Sequence, residues 1–225
     1  MAMILSCTLA AGATAESNLK KTPPDMVFVD SLGFYIDRHE VTVAAFTRFL
    51  NARGNRMVEG AMWLETMSKY ANITETDSLF VADEGFENHP AVEVSWHGAL
   101  AYCEWAGKRL PTEAEWQHSC EGPATLTYPW GNEFRPGLAN IFGDADGHVR
   151  TAPVGSFPAG ASPFGLLDMA GNAWEWTATA PEGKHFVRGG SWVNGKTIVD
   201  CASRVATGAA HTYIMGNSMG FRCAR

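Results

Sequence analysis

The chain has no cluster of basic residues. Its 17 Lys and Arg are outnumbered by 24 Asp and Glu, leaving a formal charge of −7. Phosphate binding needs clustered cations, so nucleic acid and anionic membrane surfaces are excluded as electrostatically held partners. Also missing is any apolar run near the roughly 20 residues a spanning helix needs. No pair of cysteines has CxxC spacing, and no histidine falls in HExxH or His-x-x-x-His. Zinc, redox-relay and metalloprotease chemistries therefore have no motif to rest on. Internal repeats and low-complexity segments are absent as well.

What is present is 225 residues, 46% of them hydrophobic, enough to bury one large core. Eight Trp with 23 Gly and 11 Pro imply a loop-rich fold whose core is filled by large rings. Five cysteines occur, Cys7 near the start and Cys103, Cys120, Cys201 and Cys223 in the body. Four body cysteines suit either two disulfides in an exported protein or four buried thiols. The opening MAMILSCTLAAGATAES has three readings: a secretory signal with the Ala13-Thr14-Ala15 step, a lipobox at Ile4-Leu5-Ser6-Cys7 that acylates Cys7, or a plain tail. Polar, proline-broken NLKKTPPD, residues 18–25, is a linker, dividing the chain into a tail, 1–25, and a domain, 26–225.

Alternation predicts a hairpin from Met26–Asp30 and Gly33–Asp37, turning at Ser31-Leu32. Thr42 caps a helix carrying Val43, Phe46, Phe49 and Leu50. Residues 54–89 are polar and aperiodic, an excursion with one short helix. Ser95 caps a second helix with Trp96, Ala99, Leu100 and Cys103 on one face, closed by Gly107. Thr112 and Glu115 form a capping box for a third, which carries Cys120. Short strands are expected at Trp174–Thr177, Phe186–Arg188 and Gly220–Ala224.

Five blocks in order (HPAVEVSWHGALAYCEWAGKRLPTEAEWQHSCEG, YPWGNEF, TAPVGSFPAGASPFGLLDMAGNAWEW, FVRGGSW and GFRCAR) resemble the formylglycine-generating enzyme, or sulfatase-modifying factor, family. The resemblance spans residues 26–225 and implies a single α+β domain with a C-type-lectin-like fold. In the family's enzymes, two cysteines after RGGS bind copper and oxidise a substrate cysteine, a task that soft thiolates suit. Here Trp192 to Asp200 contain no cysteine, so no copper is expected. The resemblance implies disulfides Cys103 with Cys223 and Cys120 with Cys201. It also implies two structural calcium sites, one at Asn140, Ile141, Asp146 and His148, the other at Asp168, Gly171, Ala173 and Glu175. Side-chain oxygens of Asn140, Asp146, Asp168 and Glu175 and backbone carbonyls elsewhere are the hard ligands calcium requires. The alternative is that these carboxylates cap turns.

The chain further resembles a subset of the family, the variable proteins of bacterial diversity-generating retroelements, such as the treponemal variable lipoprotein. There, adenines are randomised between an RGGSW-like start and a GFR-like end. Residues 188–222 keep that frame around a segment rich in the residues such randomisation reaches. The resemblance implies a non-catalytic ligand-binding protein at a bacterial cell surface or outer membrane, anchored through Cys7. Its contact residues would be Val193, Asn194, Lys196, Thr197, Val199, Val205, Thr207, His211, Tyr213, Met215 and Asn217. The expected partner is a protein or glycan on another cell or host surface, with membrane contact only through the anchor and a monomeric chain. The competing expectation is a copper or other oxidative enzyme acting on protein cysteine.

Overall fold

The computed structural model describes residues 25–143, 146–178, 185–208 and 218–225. The N-terminal hairpin forms as the alternation predicts: β1 (Met26–Val29) pairs antiparallel with β2 (Phe34–Asp37), burying Val29, Phe34 and Ile36. Helix α1 (Val43–Arg53) begins at Thr42, whose hydroxyl accepts the Ala45 amide at 3.2 Å. It buries Val43, Phe46, Phe49 and Leu50, the stripe expected.

Residues 54–89 depart from expectation, because among the described residues they hold two hairpins and no helix. β3 (Met57–Val58) pairs with β4 (Ala61–Met62), and β5 (Ile73–Thr76) pairs with β6 (Leu79–Ala82). Both turn on two residues of positive φ, Glu59-Gly60 and Asp77-Ser78. That geometry matches the twist of flanking strands, and local turn chemistry wins where no helical period exists.

Helices α2 (Trp96–Trp105) and α3 (Glu113–Glu121) start at Ser95 and Thr112 as expected, and the Thr112–Glu115 capping box is closed in both directions. The buried face of α2 is Gly98, Ala99, Tyr102 and Cys103, while Trp96 and Leu100 lie at its edge. A four-stranded sheet in the order β10-β7-β8-β9 completes the domain: β7 (Trp174–Trp176), β8 (His185–Arg188), β9 (Arg204–Thr207) and β10 (Met219–Gly220). β10 runs parallel to β7 and the other pairs are antiparallel. The last residues leave the sheet, and Ala224 bridges Ile36 and Arg109 instead.

Two disulfides tie helices to the C-terminal half, Cys103–Cys223 and Cys120–Cys201, the pairs the resemblance implies. Each closes a long loop and adds about 2–4 kcal/mol. Disulfides persist in oxidising compartments, which places the domain outside the reducing cytosol. Among the described residues no helix is long and apolar enough to cross a membrane.

Beside these staples lies a fully buried ion pair. Arg222 donates from Nε and Nη2 to Glu175 at 2.6 and 2.7 Å, and neither side chain meets solvent. Its remaining hydrogens go to the carbonyls of Asp37, Arg38 and Leu167, and Trp116 Nε1 donates to Glu175 Oε2 at 2.7 Å. Buried Glu40 sits nearby, accepting from Asn172 Nδ2 at 2.9 Å. Burial, then the charges of Asp168 and Glu175, push its carboxyl well above the usual range. Removing one partner of a buried pair strands the other charge. Arg222→Gln is therefore expected to cost about 3–5 kcal/mol in urea unfolding at neutral pH; a loss under about 1 kcal/mol, the scale of an exposed pair, would contradict this role.

Candidate functional site

The segment between Arg188 and Cys201 leaves β8, runs over the domain and returns to α3 through the Cys120 disulfide. Arg188, nearly buried, grips both ends. Its Nη2 donates to Glu113 Oε1 and Gln117 Oε1 on α3, at 2.5 and 2.9 Å. Its Nη1 donates to the carbonyls of Cys201 and Ala202. Gly189 and Gly190 follow with φ of 91° and 73°. A Cβ on Gly190 would sit 2.6 Å from Val199 Cγ1, and one on Gly189 would press on the Trp116 ring. Glycine is required twice over, for backbone conformation and for close approach.

Beyond the glycines, Ser191 is buried and donates its amide and hydroxyl to Asn194 Oδ1 at 3.0 and 2.8 Å. The Asn194 amide returns to the Ser191 carbonyl, and its own carbonyl accepts from Phe142 N–H. The Trp192 amide donates to the Asn172 carbonyl, and Tyr128 hydroxyl to the Lys196 carbonyl. The loop is thus held largely by its backbone, and of its outward side chains Lys196 also lies over the Phe134 ring, 5.9 Å from its centroid.

The expected contact residues divide accordingly. Val193, Lys196 and Thr197 are exposed, together with Ile198, which the sequence reading did not select. Val199 is fully buried beneath Gly190 and is corrected to a core residue. Asn194 is half-buried and spends its side-chain oxygen on Ser191, a turn-closing role in place of a contact. Val205 and Thr207 lie on β9, where exposure alternates: Val205 packs against the main core, Thr207 is half-buried, and Arg204 and Ala206 point outward. The β-branched pair Val205 and Thr207 was the signal that could have found this strand. His211, Tyr213, Met215, Asn217 and Cys7 lie outside the described residues.

The two oxygen sets differ in their fit to calcium. In the first, Asp146 accepts the amides of Ile141 and His148 at 3.2 and 2.9 Å, and Asn140 Nδ2 donates to the Arg150 carbonyl and Asn172 Oδ1. A carboxylate, a side-chain amide oxygen and carbonyls remain the hard donors calcium takes. In the second, Glu175 has both oxygens committed to Arg222 and Trp116, and Asp168 Oδ2 accepts from Gly155 N–H. Gly171 is packed on the Asn140 carbonyl, and Ala173 is buried beside Trp174. A guanidinium occupying the strongest anionic ligand does not fit a cation, so no role is derived through calcium there. Among the described residues, no group of three or more His, Cys, Asp or Glu could hold a metal.

A loop-rich α+β frame stapled by two disulfides, with an outward loop between an RGG turn and a half-cystine, defines a domain of the C-type-lectin-like, formylglycine-generating-enzyme type. The chain belongs to that family: the model of the sulfatase-modifying factor enzyme 1-like domain matches residues 1–225. The serine/threonine-protein kinase pkn1 of Chlamydia caviae is 35% identical over 231 residues, covering 93% of this chain and 35% of its own length. The formylglycine-generating enzyme of Mus musculus is 33% identical over 242 residues, covering 91% and 63%. This chain therefore spans only part of either relative. Among solved structures, Treponema denticola variable protein 1 superposes with a TM-score of 0.61 at 18% identity, over 89% of this chain and 90% of that one. That likeness shows a shared fold.

The frame sets which substitutions the loop tolerates. Val193→Ser, Lys196→Ser and Thr197→Ala are expected to change stability by no more than about 0.5 kcal/mol. Gly190→Ala is expected to cost more than about 1 kcal/mol, since it meets both strain and a clash. Thermal melts of the single variants check this, and a Gly190→Ala protein as stable as Val193→Ser would refute the loop geometry.

Proposed function

We propose that this domain binds a ligand through the 188–222 segment and does not catalyse oxidation. The observation that carries the reading is the state of the cysteines: all four in residues 25–225 are joined as disulfides, and none lies between Trp192 and Asp200. No thiolate of the domain is left to bind Cu(I) or to take part in thiol chemistry. The stretch in which the resemblance places the enzymes' copper cysteines is here a loop held by its backbone, with Val193, Lys196 and Thr197 exposed. Likeness in fold to a protein titled a variable protein supports the same reading. Anchoring through Cys7, display at a bacterial surface, a monomeric state and a protein or glycan partner belong to this proposal, as does calcium at Asn140, Ile141, Asp146 and His148. Melting curves with and without a chelator read the calcium part.

The 33% identity to an enzyme gives the competing reading its footing. Incubating the protein with Cu(I), oxygen and a cysteine-containing peptide, beside the murine relative as positive control, separates the two by mass spectrometry. Unmodified peptide is expected from this chain. Conversion of the peptide cysteine to formylglycine would overturn the non-catalytic reading.

A further inference from the structure

Asn194 and Gly195 form the chain's only Asn-Gly step, and their surroundings favour one reaction between them. Asn194 Oδ1 accepts two hydrogen bonds from Ser191, from the main-chain N–H at 3.0 Å and from the hydroxyl at 2.8 Å. A main-chain N–H can only donate, which fixes the oxygen of this side-chain amide on the Ser191 side. Among the described residues, Asn194 Nδ2 and the Gly195 N–H have no hydrogen-bond partner. The Asn194 carbonyl, in the same peptide group as that N–H, accepts from Phe142 N–H at 3.0 Å. Such a bond draws electrons from the peptide nitrogen and makes its proton more acidic. A Cβ on Gly195 would meet nothing within 4 Å, and its φ lies outside the left-handed region, so its nitrogen is open to approach.

We propose that Asn194–Gly195 is a self-modifying site, at which the Gly195 nitrogen attacks Asn194 Cγ and the side-chain amide becomes a carboxylate without enzyme or cofactor. Hydroxide takes the Gly195 amide proton, and an N–Cγ bond forms as the carbonyl electron pair moves onto Oδ1. Negative charge then rests on the atom that two Ser191 donors already face, the arrangement that stabilises oxyanions in acyl transfer. When the pair returns, the Cγ–Nδ2 bond breaks and Nδ2, protonated by water, leaves as ammonia. The product is a cyclic imide joining residues 194 and 195. Water adds to either imide carbonyl and breaks its bond to the ring nitrogen. Opening at Cγ leaves an aspartate at position 194; opening at the main-chain carbonyl leaves an isoaspartate, whose main chain runs through Cγ and is one carbon longer. Either product has gained water and lost ammonia, and nothing is oxidised or reduced.

The consequence falls on the loop. The new carboxylate adds a negative charge to a chain already at −7. In the isoaspartate the extra carbon lies between the Ser191 turn and the Gly195 carbonyl, which accepts from Ile198 N–H at 3.0 Å. The 188–222 segment thus exists in two forms, one as translated and one aged. This chemistry does not rest on the ligand-binding reading, so either can fail alone.

The test is incubation of the folded full chain in mildly alkaline buffer, beside the same chain unfolded in guanidinium chloride at equal pH, with peptide mapping by mass spectrometry at intervals. Conversion at Asn194 is expected to be about tenfold or more faster in the folded chain, with aspartate and isoaspartate both found. Asn140 and Asn172, whose Nδ2 atoms are hydrogen-bonded, are expected to stay unchanged there. Ser191→Ala removes one of the two donors, and is expected to slow the folded chain about tenfold while leaving the unfolded rate as it was. Gly195→Ala is expected to slow both by about tenfold, because a side chain then obstructs the approach of the reacting atoms. Circular dichroism shows whether each variant is folded. Conversion slower in the folded chain than in the unfolded one would mean that the turn shields Asn194, and overturns the proposal. A folded Ser191→Ala protein that converts as fast as the parent overturns it as well. None of these outcomes decides whether the segment binds a ligand.

Discussion

The buried pair of Arg222 and Glu175 is the constraint on which the rest of the structure depends. Through one guanidinium the C-terminal segment reaches β7, the carbonyls of Asp37 and Arg38 at the end of the N-terminal hairpin, and Leu167 ahead of the Asp168 turn. Trp116 adds α3 to the same carboxylate. In a domain with few regular elements, these bonds do what long helices or a large sheet would otherwise do. A buried pair is no guarantee of net stability.

From that hub the loop inherits its properties. Arg188 and the Cys120–Cys201 disulfide fix its two ends, Gly190 lets Val199 close beneath it, and Asn194 locks its turn through Ser191. Each of these contacts uses backbone or buried atoms. Val193 and Thr197 face outward from this frame, and substitutions at such exposed positions usually cost little in stability.

Sequence reasoning reached the helices well, because Thr42, Ser95 and Thr112 announce their starts through capping chemistry that is local. The β1–β2 hairpin and the framing residues 188–192 and 201 were legible for the same reason. It did less well where structure rests on long-range contact. Val199 is in core only because Gly190, nine residues earlier, has no side chain, and no local pattern marks that approach. The two hairpins in residues 54–89 hide behind turns at Glu59-Gly60 and Asp77-Ser78 that are set by backbone sign more than by hydrophobic period.

We propose that residues 188–222 form a recognition segment whose side chains vary on a constant frame. The most direct measurement is the sequence of the DNA flanking the gene. The expected result is a second, near-identical copy of the codons for this segment, beside a reverse transcriptase gene, with mismatches confined to adenines and falling at outward positions such as Val193, Lys196 and Thr197. Flanking DNA with neither a second copy nor a reverse transcriptase gene would contradict the claim and return the loop to ordinary divergence within an enzyme family.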